Sequence, residues 1–166
     1  ASTMAGAVLG LQRSLGRDAG HEDFEPLTWK LLVQGQAIRG HEVLWAREAM
    51  FTLHKQMAAF MDSHDVVLSP SLQALGARPG TISSSQTSAE AAEGVLRYVA
   101  FTMLYNLTGQ PSMSVPLYWT QGGLPVGAQF TGRFGAEETL FSLAAQLESA
   151  HPWFDRLPVE PYQTRD

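Results

Sequence analysis

Residues Phe101–Glu148 read FTMLYNLTGQPSMSVPLYWTQGGLPVGAQFTGRFGAEETLFSLAAQLE, and this stretch decides the fold. An apolar helical end runs into Gly109, which suits the left-handed turn that closes a helix, and Pro111 prevents the helix from resuming. Ser112–Leu117 is small and β-branched enough for a buried strand, Gly122-Gly123 marks a turn, and Pro125–Thr131 is a second strand. Gly127 and Gly132 suit a close backbone approach or a bulge. Ala136–Ser149 then reads as a helix with Leu140, Leu143, Ala144 and Leu147 inward, stopped by His151-Pro152.

Working back from this core, Asp65-Val-Val-Leu-Ser69-Pro70 is a short buried strand ended by proline. Three helices precede it. The first spans Met4–Leu15, with Ser2 as its cap and Gly16 as its stop. The second spans Thr28–Ala37, opened by Pro26 and ending near Gly40. The third spans His41–Met61, where Val43, Ala46, Met50, Leu53, Met57 and Phe60 recur at spacings of three and four and predict a buried seam. Arg17–Glu25 is a polar loop. Leu72–Ser88 is a long one, of the length that often serves as a binding element or lid. Thr87-x-x-Glu90 has capping-box spacing and opens a helix expected to reach Asn106. Pro158–Asp166 reads as a tail.

Long helices alternating with short apolar strands indicate an α/β architecture. Three strands leave at least one sheet edge without a partner. Such an edge predicts completion by further polypeptide or self-association as a homo-oligomer.

Composition narrows the function. With 45% hydrophobic and 16% charged residues, the 166-residue chain is a folded domain with a core. Its net charge of −5 is spread without a basic cluster, which argues against nucleic acid and anionic membranes as partners. The absence of cysteine excludes disulfides, thiolate metal sites and a cysteine nucleophile. No secretory signal or long apolar span is present, so the cytoplasm is the expected compartment. His41-Glu42-Val43-Leu44-Trp45 begins like a zinc-protease helix, but Trp45 stands where the second histidine ligand must be. His21, His54, His64 and His151 have no ligand spacing among themselves, and no metal or organic cofactor is expected.

The ordered series Asn106-x-x-Gly109-x-Pro111, Val115-Pro116, Gly123-Leu124-Pro125-Val126-Gly127-x-Gln129 and Gly132-Arg133 closely resembles the C-terminal portion of amidase-signature enzymes. These serine hydrolases cleave carboxamides with a Ser–Ser–Lys triad. The likeness continues more weakly through Asp65–Pro70 and Phe24-Glu-Pro-Leu-Thr-Trp29, covering about Asp23–Glu148. It implies that residues 1–166 form a single segment of that family's mixed β-sheet flanked by helices. Asn106, Gln129 and Arg133 belong to the motifs that carry the likeness, and structural roles are expected for them.

The resemblance also implies what the chain lacks. The family's nucleophile sits in a Gly/Ser-rich loop, whereas Ser83–Ser88 has serines without the glycines that let backbone N–H groups approach an oxyanion. The only lysines, Lys30 and Lys55, fall in amphipathic helices as solvated side chains. No catalytic residue is therefore expected in this chain. Val99 and Met103, four apart on one helical face, correspond to pocket positions; glutamine-specific members place an aspartate where Val99 stands. An apolar wall there implies an uncharged acyl or aryl amide as substrate, with the N-terminal part of the same protein as partner. The alternative is a noncatalytic folding or interaction module.

Overall fold

The structure is a computed structural model that describes residues 1–83, 94–96 and 98–156. Helix α1 (Ser2–Leu15) ends at Gly16, whose φ of 66° is the left-handed cap a glycine accommodates. Ala1 occupies the N-cap and Ser2 lies inside the first turn, so the serine cap expected from sequence is not formed. A 3₁₀ turn at His21–Asp23 interrupts the loop that follows. There the Arg17 guanidinium holds the Asp23 carboxylate through two bonds of 2.9 Å, and the Gly20 N–H adds a third at 3.0 Å.

Helix α2 (Pro26–Ala37) has proline in its first turn and packs on α1, burying Leu32. Gly40 does not end α2. Ile38 is its C-cap, and Gly40 opens α3 (Gly40–Met61), where Glu42 accepts the Arg39 N–H at 2.8 Å and closes the first turn.

The helical period of α3 is real, but its seam is not a core. Val43, Leu53 and Met57 are half-buried, while Ala46, Met50 and Phe60 are exposed. Trp45 and Phe51 also face solvent, and only Met61 is sealed. The physical reason is a lack of covering surface along most of the helix. The whole chain exposes 12412 Å², against roughly 8,100 Å² for a compact monomer of this mass.

Strands β1 (Val66–Pro70), β2 (Ser112–Trp119) and β3 (Pro125–Gly132) form one antiparallel sheet in the order β1-β3-β2. This confirms the α/β class and all three strands. A tight turn joins β2 to β3: Gly123 sits at φ 78°, and Thr120 and Leu124 are bonded across it. β2 extends past Leu117, with a register shift between Pro116 and Tyr118, beside a proline that has no N–H to donate.

The expected helix into Asn106 is interrupted. Residues 94–96 and 98 are helical and 99–101 form a turn; α4 (Thr102–Thr108) follows, closed by Gly109 at φ 77°. The hydrogen bond from Met103 N–H to Val99 O, 2.9 Å, still bridges the interruption, and Phe101 stays right-handed, so the chain does not change direction. The Thr87–Glu90 capping box, Ser84–Ser88 and the Pro158–Asp166 tail lie outside the described residues.

Helix α5 (Glu137–Ala150) covers one sheet face. Leu140 packs on Val115 and Phe130, with Leu143 and Leu147 beside them. The inward leucines are those its spacing predicts. Arg133, just after β3, donates from Nε to Met61 O at 3.0 Å and His64 O at 3.2 Å, and from Nη2 to Asp65 at 3.0 Å. It thereby fastens the end of α3 to the sheet.

Candidate functional site

Side chains alternate along a strand, so the register sorts the sheet into two faces. Val115, Ala128 and Phe130 point to α5. The other face carries Ser69, Gln129 and Ser114 on one rung, and Val67, Thr131 and Ser112 on the next. It is built almost wholly of small or neutral polar side chains.

Ser112 and Thr131 share a hydroxyl–hydroxyl bond of 2.8 Å, and Ser114 shares a short one with Ser71. Gly127 makes the second contact possible. A methyl group there would lie 2.7 Å from Ser71 Oγ and 2.8 Å from Ser114 Oγ. Ser71 is held over it by its own N–H, which donates to Gly127 O at 3.0 Å. The expectation of a close approach at Gly127 is met, and the approaching atoms are these two hydroxyls.

Two grooves open on this face. The larger, about 660 Å³, runs between the Pro70–Gly76 segment and the strand ends at Pro116 and Pro125–Gly127. Part of the long polar loop thus forms a groove wall. The smaller, about 310 Å³, lies between Thr102, Tyr105 and Asn106 of α4 and Ser112, Ser114 and Gln129 of the sheet. Ser114 lines both.

The chemistry on offer is neutral hydrogen bonding. Among the described residues, neither groove is lined by a carboxylate, lysine, arginine or histidine. Among the described residues that line the grooves around the Ser71–Ser114 pair none is a base, and Lys30 and Lys55 are exposed on α2 and α3. Perturbed ionisation lies elsewhere, in exposed ion pairs. The Arg17 guanidinium and the Gly20 N–H hold Asp23 down to about 2, and the Arg39 backbone and side chain hold Glu42 below the usual carboxylate range. Four histidines make aromatic contacts: His21 with Trp29, His41 with Trp45, His54 with Phe51 and His64 with Phe60. His41 of the would-be zinc motif thus meets the tryptophan that replaces the ligand. Among the described residues no three His, Cys, Asp or Glu side chains are placed to hold a metal, and no helix is long and apolar enough to cross a membrane.

Val99, in the turn before α4, and Met103, in α4, are half-buried and joined by the Met103 N–H to Val99 O bond; Thr102, Tyr105 and Asn106, not these two, line the smaller groove. Asn106 and Gln129, read from sequence as structural, line the smaller groove, whereas Arg133 has the structural role expected of it. The polar face itself was not anticipated. Its signal is a period of two in small polar residues: Ser69-x-Ser71, Ser112-x-Ser114 and Gly127-x-Gln129-x-Thr131.

A sequence model of the Amidase family matches residues 15–141. The chain is 38% identical over 101 residues to "Putative amidase AmiC" of Mycobacterium leprae (strain TN), a match covering 61% of this chain and 21% of that protein. It is 32% identical over 162 residues to "Putative amidase AmiB2" of Mycobacterium tuberculosis (strain ATCC 25618 / H37Rv), covering 95% of this chain and 35% of the relative. The chain thus spans about a fifth to a third of the length of these relatives. Its fold superposes on a solved 6-aminohexanoate cyclic dimer hydrolase with a TM-score of 0.85 at 24% identity, covering 95% of this chain and 34% of that one.

Proposed function

This chain belongs to the amidase family, and we propose that it forms the C-terminal segment of an enzyme that hydrolyses a small, largely apolar carboxamide to an acid and an amine or ammonia. Residues 1–166 act as one unit of a larger amidase-signature domain. The acylated serine, the serine that relays its proton and the lysine that receives it come from polypeptide outside this chain. Water then releases the acid.

One observation carries this reading: the sheet has a face of neutral hydrogen-bonding groups and two grooves, and among the described residues no base lines either groove. Amide hydrolysis at neutral pH needs a nucleophile with a positioned base, so the face serves as a wall to chemistry supplied from elsewhere. The exposed apolar side chains of α3 support the same arrangement, since a contiguous apolar surface marks a covered interface. The partner proposed for that surface is the N-terminal part of the same protein. Val99 and Met103 contribute an apolar stretch to the pocket, which selects an uncharged acyl or aryl amide over a cationic one.

The test is hydrolysis by the full-length polypeptide. Purified protein should release amine or ammonia from aryl and aliphatic amides and show an acyl-enzyme burst with an activated substrate. A well-folded full-length protein without turnover on any neutral amide would overturn the proposal.

A further inference from the structure

The outer side of α3, turned away from the half-buried Val43, Leu53 and Met57, carries a stripe with an internal two-fold pattern. From His41 to Asp62 its residues recur at steps of three and four, and every one of them is exposed. They are arranged about a midpoint between Phe51 and Thr52. Bulk lies on one side of it. Leu44 and Trp45, 61% and 69% exposed, come before the midpoint, and Ala58 and Ala59 stand equally far beyond it. Charge is divided in the same way: Glu48 precedes the midpoint and Lys55 follows it, with His41 and Asp62 at the two ends. Glu48 and Lys55 are about 10.5 Å apart along the axis, so they do not pair within their own helix.

We propose that this stripe is a two-fold interface between two copies of the protein, with their α3 helices packed antiparallel and crossing between Phe51 and Thr52. Each position then meets its complement. Trp45 lies on the partner's Ala58 and Leu44 on the partner's Ala59, so that large faces small and the helix axes approach to about 8–10 Å. Glu48 meets the partner's Lys55, His41 meets the partner's Asp62, and the two-fold axis repeats every contact. A parallel pair would set Glu48 against Glu48 and Lys55 against Lys55, so charge fixes the orientation. The area suffices for a stable contact. Leu44, Trp45 and Phe51 are each more than half exposed; at about 150–250 Å² per aromatic ring, two copies of these and of the charged stems bury on the order of 1,000 Å². The inference goes beyond the amidase reading and assigns only this side of α3. The exposed Ala46, Met50 and Phe60 fall on the same side as Met57 and remain for the N-terminal polypeptide.

Sedimentation equilibrium of the full-length protein tests this by charge exchange. The unsubstituted protein should dimerise with a Kd below about 100 μM. Glu48→Lys and Lys55→Glu each place like charges at both symmetric contacts and should raise that Kd by about tenfold or more. An equimolar mixture of the two variants restores both pairs and should dimerise like the unsubstituted protein. Both changes in one chain should do the same. Phe51→Ser, at the midpoint, should weaken the dimer by about tenfold or more without a charge change. These side chains are exposed, so the variants should keep the native circular dichroism. A protein that stays monomeric at about 100 μM overturns the proposal. So does a dimer that neither charge reversal nor Phe51→Ser weakens, the result expected if other polypeptide covers the stripe, or one that the mixture fails to restore. Mass is read without turnover, so failure here leaves the amidase reading standing. A charge-exchangeable dimer without amide hydrolysis by the full-length protein would refute that reading alone.

Discussion

Replacing Gly127 with alanine tests the close packing of the polar face. The new methyl would sit 2.7 Å from Ser71 Oγ, 2.8 Å from Ser114 Oγ and 3.0 Å from Ser71 Cβ. Rotating both hydroxyls away sacrifices the Ser71–Ser114 bond, a loss of about 1 kcal/mol. The Ser71 Cβ contact remains, because Ser71 is tied to Gly127 O by its own N–H. Overpacking of this kind costs about 1–3 kcal/mol. Alanine returns up to about 1 kcal/mol by restricting the unfolded chain. The net expectation is a loss of about 2 kcal/mol, read as a lower urea midpoint at unchanged slope. A second background sharpens the test. Ser71→Gly with Ser114→Ala removes all three crowding atoms, and Gly127→Ala should then be neutral or slightly stabilising. An equal loss in both backgrounds, or a loss under about 0.5 kcal/mol in the native one, would refute the steric argument.

Other substitutions probe separate parts of the account. Arg133→Met should cost about 1–2 kcal/mol in urea melts, from the two carbonyls it leaves at the end of α3. Asp65→Asn should cost under about 0.5 kcal/mol, because Asp65 is 85% exposed and such ion pairs are weak; a larger effect at Asp65 than at Arg133 contradicts this assignment. Asp23 has a carboxyl drawn from an ordinary 3.8 to about 2, so its contribution is fully present above about pH 4 and is lost as the pH falls through 2. An NMR titration of that carboxyl with a midpoint near 4 would remove the Arg17 clasp from the solution structure. In the full-length enzyme, Val99→Asp should lower kcat/KM for an apolar amide, by about tenfold for each 1.4 kcal/mol of lost transition-state binding. Unchanged kinetics in a folded variant would place Val99 away from the pocket.

Local chemistry made much of this fold legible from residues alone. Gly16 and Gly109 end helices in the left-handed conformation, Pro26 opens α2, and Gly127 admits two hydroxyls. Expectations that needed knowledge of neighbours fared differently. The α3 spacing of three and four identifies an apolar stripe but not what covers it, and Phe60 remains 50% exposed. Gly40 is compatible with ending one helix or opening the next, and the Arg39–Glu42 contact decides for the second. The polar face was written in alternate residues of three strands that are distant in sequence. Only the register, which sets Ser69 and Ser114 on either side of Gln129, makes it a surface.

The central claim, that this chain shapes an amidase site without supplying its reactive groups, is tested most directly by comparing turnover. The purified 166-residue chain and the full-length protein should be assayed on the same aryl amide at equal concentration. The account predicts hydrolysis by the full-length protein and a rate lower by about 10⁴ or more for the chain alone, the order lost when a nucleophile and its base are missing. Turnover by the isolated chain near the full-length rate would contradict it.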